Sequence, residues 1–213
     1  AIAGSANQAV TFTGYTPTVF GTYTTTYSVA IAETDGDLSN NSIINVTEVT
    51  ANTYARDDNT VTGSLGIGDG NGGQLGQMFD ILVTEDILSV TFAINGSVDL
   101  PGTTTFASVW DTVGGVPNAV IAQTDVVTLS ATNDGTAGPE TYTANITGGP
   151  FTLAPGQYVV TVEEDLFNIT LARTTTVHTP GTTWINWPAN PNGNGWSNNE
   201  DFGFLVSYII RPN

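Results

Sequence analysis

Three of the four tryptophans in the chain, Trp184, Trp187 and Trp196, fall inside GTTWINWPANPNGNGWSN, a stretch otherwise built of Gly, Pro, Asn and small polar residues. Exposed indoles on a loop hold the flat face of a sugar ring; buried ones close the core of a sandwich that lacks disulfides. Spacing separates the three. Trp184 and Trp187 are three residues apart, so on a regular strand they point to opposite faces and form no common platform unless Pro188 or a bulge re-aims one. Trp184 is expected to face the core, and so is Trp110, which alternates with Phe106 and Ser108. The ligand reading therefore rests on Trp187, just before Pro188, and Trp196, after Asn-Gly-Asn-Gly. Burial is the expectation for the cluster as a whole.

Acids are the second set of chemical groups. They occur in pairs or runs at Asp57/Asp58, Glu85/Asp86, Glu163/Glu164/Asp165 and Glu200/Asp201. Glycoside hydrolysis needs two carboxyls facing each other across a cleft, which sequence spacing does not establish. The one histidine, His178 in TTTVHTPG, stands beside a Pro-Gly turn, and no GxSxG presents a serine nucleophile. The expectation is that the chain is not an enzyme. A cation is the other use for acids: Ca²⁺ takes about 6–8 oxygens from Asp, Asn and carbonyl groups in a bent loop. Asp35-Gly36-Asp37 with Asn40 and Asn41, and Asp69-Gly70-Asn71, have that composition without the EF-hand spacing. The same residues also make ordinary β-turns. The expected metal ligands are Asp57 and Asp58 with Glu200 and Asp201, provided the first and last segments of the domain lie side by side.

The elements that must position these groups are strands. Helical periodicity is nearly absent and period-2 alternation is widespread. Tyr23, Thr25, Tyr27, Val29 and Ile31 share one face; so do Leu88, Val90, Phe92 and Ile94; so do Tyr158, Val160 and Val162; so do Phe204, Val206, Tyr208 and Ile210. Between them lie turn signals such as TDGD, GDGNGG, INGS, VGGVPN, NDGTAGP and LAPG. The chain reads as all-β, an antiparallel β-sandwich of jelly-roll type. Its first fifty residues offer three strands, near 8–13, 21–33 and 43–49, too few for an independent sandwich. Residues 1–50 are therefore expected to be the C-terminal part of an Ig-like module, with residues 51–213 forming the sandwich; a single domain of all 213 residues is the alternative.

Charge bounds the partners. Twenty acids face three arginines and no lysine, for a net charge of −17. Nucleic acid needs a basic footprint and anionic membranes need the same, so neither is expected to bind. No apolar run of about 18 residues is present for membrane insertion. There is no cysteine, which removes disulfides and thiol chemistry. The opening AIAGSANQ, without Met, reads as a piece of something longer. Five Asn-x-Ser/Thr sequons start at Asn40, Asn45, Asn95, Asn145 and Asn168, as an Asn- and Thr-rich composition produces.

The run GTYTTTYSVAIAETDGDLSNNSIINVTEVTANTYARDD resembles the ending of Ig-like modules in large secreted proteins of Bacteroidota, with Tyr54-Ala55-Arg56-Asp57 as the start of the next module. FASVWD (106–111), GGVPN (114–118), LAPGQYVVTVE (153–163), GTTWINW (181–187) and IIRPN (209–213) resemble the β-sandwich that often precedes a type 9 secretion sorting domain. Asp111-Thr112-Val113 is similar to the short O-glycosylation acceptor of the same bacteria. The resemblance implies an extracellular or cell-surface, adhesin-like multidomain protein in which such modules are non-catalytic. The expected function is accordingly a non-catalytic module for adhesion or structural display, with neighbouring modules of the same chain, glycans or surface polymers as partners. A carbohydrate-binding accessory module and a filament subunit assembled by strand addition are the alternatives.

Overall fold

Alternating apolar residues become strands because one face of each can be buried while the other stays wet. In the computed structural model, which describes residues 11, 18–30, 34–164, 169–187, 190 and 195–213, every paired strand is antiparallel and the fold is an all-β sandwich. The chain divides into two compact units, Ala1–Asn52 and Thr53–Asn213. In the first unit, Gly21–Ser28 pairs with Ser42–Val49 in a hairpin registered from Gly21 opposite Val49 to Ser28 opposite Ser42. Asp35 accepts the backbone N–H of Asp37, and Asp37 accepts that of Ser39, so this acidic loop is built as a turn. The strand expected near 8–13 lies outside the described residues, apart from Thr11.

The second unit has two large sheets. The front sheet runs Trp196–Asn198, Thr183–Asn186, Gly73–Ile81, Gly156–Glu164, Ala107–Val113 and Val116–Gln123, in that spatial order. The back sheet runs Glu140–Asn145, Ser89–Asn95, Thr170–Thr174 and Ser207–Tyr208; Ile210–Pro212 also pairs with Ser89–Asn95, and Gly63–Leu65 with Thr170–Thr174. Leu75, Phe79, Val109, Val160, Val162 and Ile185 from the front meet Val90, Phe92, Ile94, Leu171, Tyr208 and Ile210 from the back in one buried cluster. Gln77 is wholly buried among them. Its amide donates to the carbonyl and hydroxyl of Thr182 and accepts the backbone N–H of Tyr208, which binds front to back without an unmet polar atom on that side chain.

Alternation identifies the inward residues except at strand ends. Leu88 and Phe204 continue the apolar pattern of their segments, yet they are 55 % and 40 % exposed because each lies outside the paired strand that follows it. The two ends of the unit are tied together. Tyr54 donates its N–H to the Pro212 carbonyl, Thr53 its hydroxyl to the Asn213 side chain, and Asn213 exchanges backbone bonds with Ser89.

Candidate functional site: the outer face of the front sheet

The side of the front sheet turned away from the core carries the chemistry. On Gly73–Ile81, Leu75 and Phe79 go into the core, so Gln74, Gly76 and Met78 point outward. Antiparallel register then sets these residues in rungs. The first rung is Trp196, Asn186, Gln74 and Glu163, each directly opposite the next. The second is Asn198, Trp184, Gly76, Thr161 and Ser108. The third brings Met78, Val159 and Trp110 together.

The first rung is a hydrogen-bonded chain with a direction. Asn186 Nδ2 donates to Gln74 Oε1 at 2.9 Å, and Gln74 Nε2 donates to both Glu163 oxygens at 3.1 and 2.9 Å. These three side chains, with Gly72, Gly73, Trp187 and Gly195, line an open cavity of about 580 Å³. Trp187 lies at its wall, half-buried on the main core, with its ring 5.3 Å from that of Phe202. Gly73 is required there. A Cβ on it would sit 2.1 Å from the Asn186 carbonyl oxygen and 3.0 Å from Trp187 Cβ, so any larger residue would force the two strands apart beside the rung.

The wall on the Gly72 side is held from beneath. Glu164 follows Glu163 but points to the opposite face, where it is 1 % exposed. Its oxygens accept the backbone N–H groups of Ile67, at 2.6 Å, and Gly68, at 3.2 Å. Asn71 then closes the loop by donating backbone and side-chain N–H to the Gly68 carbonyl. Burial pushes the Glu164 carboxyl up to about 7, against the two N–H groups that favour its charged form.

The tryptophans take two separate places. Trp187 lines the cavity. Trp196 packs with Trp110, edge to face at 5.0 Å, over Met78, Val159 and Trp184. Trp184 is buried as expected, but in a second apolar cluster separate from the main one, with Trp110 half-buried against it. Gly76 makes room for it, since a Cβ there would lie 2.8 Å from methyl groups of Thr161 and Val159. Trp110 Nε1 donates to Thr161 Oγ1, while the buried Trp184 Nε1 has no hydrogen-bond partner among the described residues.

The acids expected to hold a cation are placed with separate partners. Asp57 pairs with Arg211 and accepts the Asn59 N–H. Asp58 accepts hydroxyls of Thr176 and Thr174, and the Thr176 bond in particular holds its carboxyl below the ordinary range. Glu200 accepts the Gly181 N–H and meets His178, and Asp201 caps the Asn198 N–H. Among the described residues, no group of three or more His, Asp or Glu side chains is gathered as a metal would need. Of the other acids, Glu85 accepts from Tyr54 and Asp86 from Thr152.

Sequence reasoning missed Gln74 and Asn186. Gln74 becomes a neighbour of Asn186 only through strand pairing across 112 residues. The available signal was glycine within a strand, Gly73 and Gly76 in GGQLGQMF, which marks a close approach of other atoms.

No protein-family model matches the chain, and no curated protein matches it. Solved structures are similar in fold. One is a clostridial cysteine protease, a Cwp84 variant after propeptide cleavage, with a TM-score of 0.56 and 16 % identity, covering 79 % of this chain and 41 % of that one. Another comprises the cysteine protease and lectin-like domains of Cwp84, a surface layer associated protein of Clostridium difficile, with a TM-score of 0.53 and 16 % identity, covering 79 % of this chain and 37 % of that one. The chain thus spans about two fifths of the length of these proteins. They correct the expectation of a non-catalytic module for adhesion or display. The fold is found in chains that also bear a protease, so a β-sandwich of this kind is no mark of a non-catalytic display protein. What the chain shares with the Cwp84 structures, over four fifths of its own length, is the fold.

Proposed function

We propose that the unit Thr53–Asn213 is a surface-associated, lectin-like domain that holds glycan in the cavity on the outer face of its front sheet. The observation that carries this reading is the Asn186–Gln74–Glu163 rung beside Trp187. Glycan sites pair an aromatic residue with amide and carboxylate groups that exchange hydrogen bonds with hydroxyls, and Trp187 and the rung line the same open cavity. The description of one fold neighbour as having lectin-like domains supports the reading from outside the chain. A place at the cell exterior is part of the proposal. It draws on that neighbour's surface-layer association, on the lysine-free acidic composition and on the resemblance to secreted Bacteroidota modules.

A glycan array probed with the chain of residues 1–213 tests this. Trp187→Ala and Asn186→Ala are expected to weaken binding of the retained glycan by at least about tenfold, the loss of one stacking or hydrogen-bonding group in a small site. Thr143→Ala, on the outer face of the back sheet, is expected to leave it unchanged. Equal weakening by all three substitutions, or by none, refutes the assignment of the site.

A further inference from the structure

The geometry points to a ligand class for this cavity: uncharged glycans presenting hydroxyl groups, with uronic-acid and sulfated glycans rejected by Glu163. This rests on the glycan reading above and adds selectivity to it.

The argument is one of hydrogen-bond valence and charge. Gln74 Nε2 donates to both Glu163 oxygens, and Asn186 Nδ2 donates to Gln74 Oε1. The Asn186 and Gln74 carbonyl oxygens carry lone pairs, and Glu163 brings the negative charge of the rung. Lone pairs accept from O–H groups, which a neutral sugar has in abundance. A carboxylate or sulfate brings only more lone pairs and a negative charge.

Among the described residues, no cationic side chain lines the cavity to receive such a charge. The chain has three arginines and one histidine for the purpose, and each is engaged elsewhere. Arg56 binds Asp80 and the Met78 carbonyl, Arg173 the Ser64 carbonyl, and Arg211 binds Asp57 and Asn59. His178 lies between Glu200 and the Val206 carbonyl. The net charge of −17 adds a long-range repulsion of the same sign. Among the described lining residues, Gly72, Gly73 and Gly195 put no side chain into the space.

The test measures Kd for neutral gluco-, galacto- and manno-configured oligosaccharides and for uronic-acid and sulfated oligosaccharides of equal length. Wild type and Glu163→Gln are compared at low and high NaCl. Neutral probes are expected to bind with affinity independent of salt. Charged probes should bind at least about tenfold more weakly at low salt, the scale of one like-charge contact at effective dielectric constants of a surface cleft. Glu163→Gln, its fold certified by an unchanged urea-unfolding midpoint, should bring the charged probe to within about threefold of the neutral one. Charged probes that bind wild type as tightly as neutral ones overturn this inference and leave the glycan reading standing. Glu163→Gln that still rejects charged probes overturns the role given to Glu163. Binding of neither class overturns the glycan reading itself, and the selectivity falls with it.

Discussion

Glu164 makes the stability of the sandwich depend on pH in a direction opposite to that of most acidic surfaces. Its carboxyl is raised from 4.5 to about 7 by burial, so the folded unit holds that proton more tightly than the unfolded chain does. The folded state therefore gains most from Glu164 below pH 4.5, and the gain disappears as the pH rises to about 7. Each pH unit of that window corresponds to about 1.4 kcal/mol, and discounting for solvent near the loop leaves a loss on the order of 2–3 kcal/mol. The surface acids with lowered carboxyls, Asp58, Asp134 and Glu140, act in a separate window: their contribution is present above the ordinary carboxylate range and is lost only as the pH falls below it. Urea unfolding followed by tryptophan fluorescence isolates the effect, because all four tryptophans lie in the second unit. Wild type should lose stability from pH 4.5 to 7.5. Glu164→Gln, neutral throughout, should show a flatter profile, with the difference between the two proteins changing by about 2–3 kcal/mol over the window. Parallel profiles would refute the reasoning.

Three further outcomes follow from packing. Gly73→Ala should cost about 2–4 kcal/mol through the clash with Asn186 and the strained rung, whereas Gly138→Ala, with open space around it, should be near neutral; thermal melts of the two compared with wild type decide this. Trp184→Ala should cost about 3–5 kcal/mol in urea unfolding although it lies on the outer face, because the indole is 6 % exposed; a loss below about 1 kcal/mol would show that the outer cluster contributes little. Asp57→Ala should cost about 3–5 kcal/mol by leaving Arg211 with only part of its hydrogen bonding, and unfolding indistinguishable from wild type would count against the pair.

The class of fold was legible because alternation is a local signal. Val90, Phe92 and Ile94, or Val160 and Val162, declare their common face within a few residues, and all five are buried in the core cluster. The signal weakens wherever pairing, not hydropathy, ends the strand, as at Leu88 and Phe204. The candidate site was far less legible. Alternation places Trp184 and Trp187 on different sides, and in the structure they belong to different clusters, but it does not say which side faces the core. That depends on which sheet covers Thr183–Asn186. Gln74, Asn186 and Glu163 read individually as polar strand residues, and only the pairing of Gly73–Ile81 with two neighbours makes them one rung. The acids at 57–58 and 200–201 drew attention by composition, yet their partners are Arg211, Thr176, His178 and backbone N–H groups that no spacing rule announces.

The bonds joining Thr53 and Tyr54 to Pro212 and Asn213 have a mechanical consequence. The first and last residues of this unit lie side by side, so the folded sandwich would add little to the span of a polypeptide that carried it between two other segments. Under tension applied at those two points, these few hydrogen bonds are the first to bear load. Once they part and the strands unravel, the same unit releases roughly 500 Å of extended chain. A folded domain of this build is therefore a store of slack as well as a place to hold a ligand.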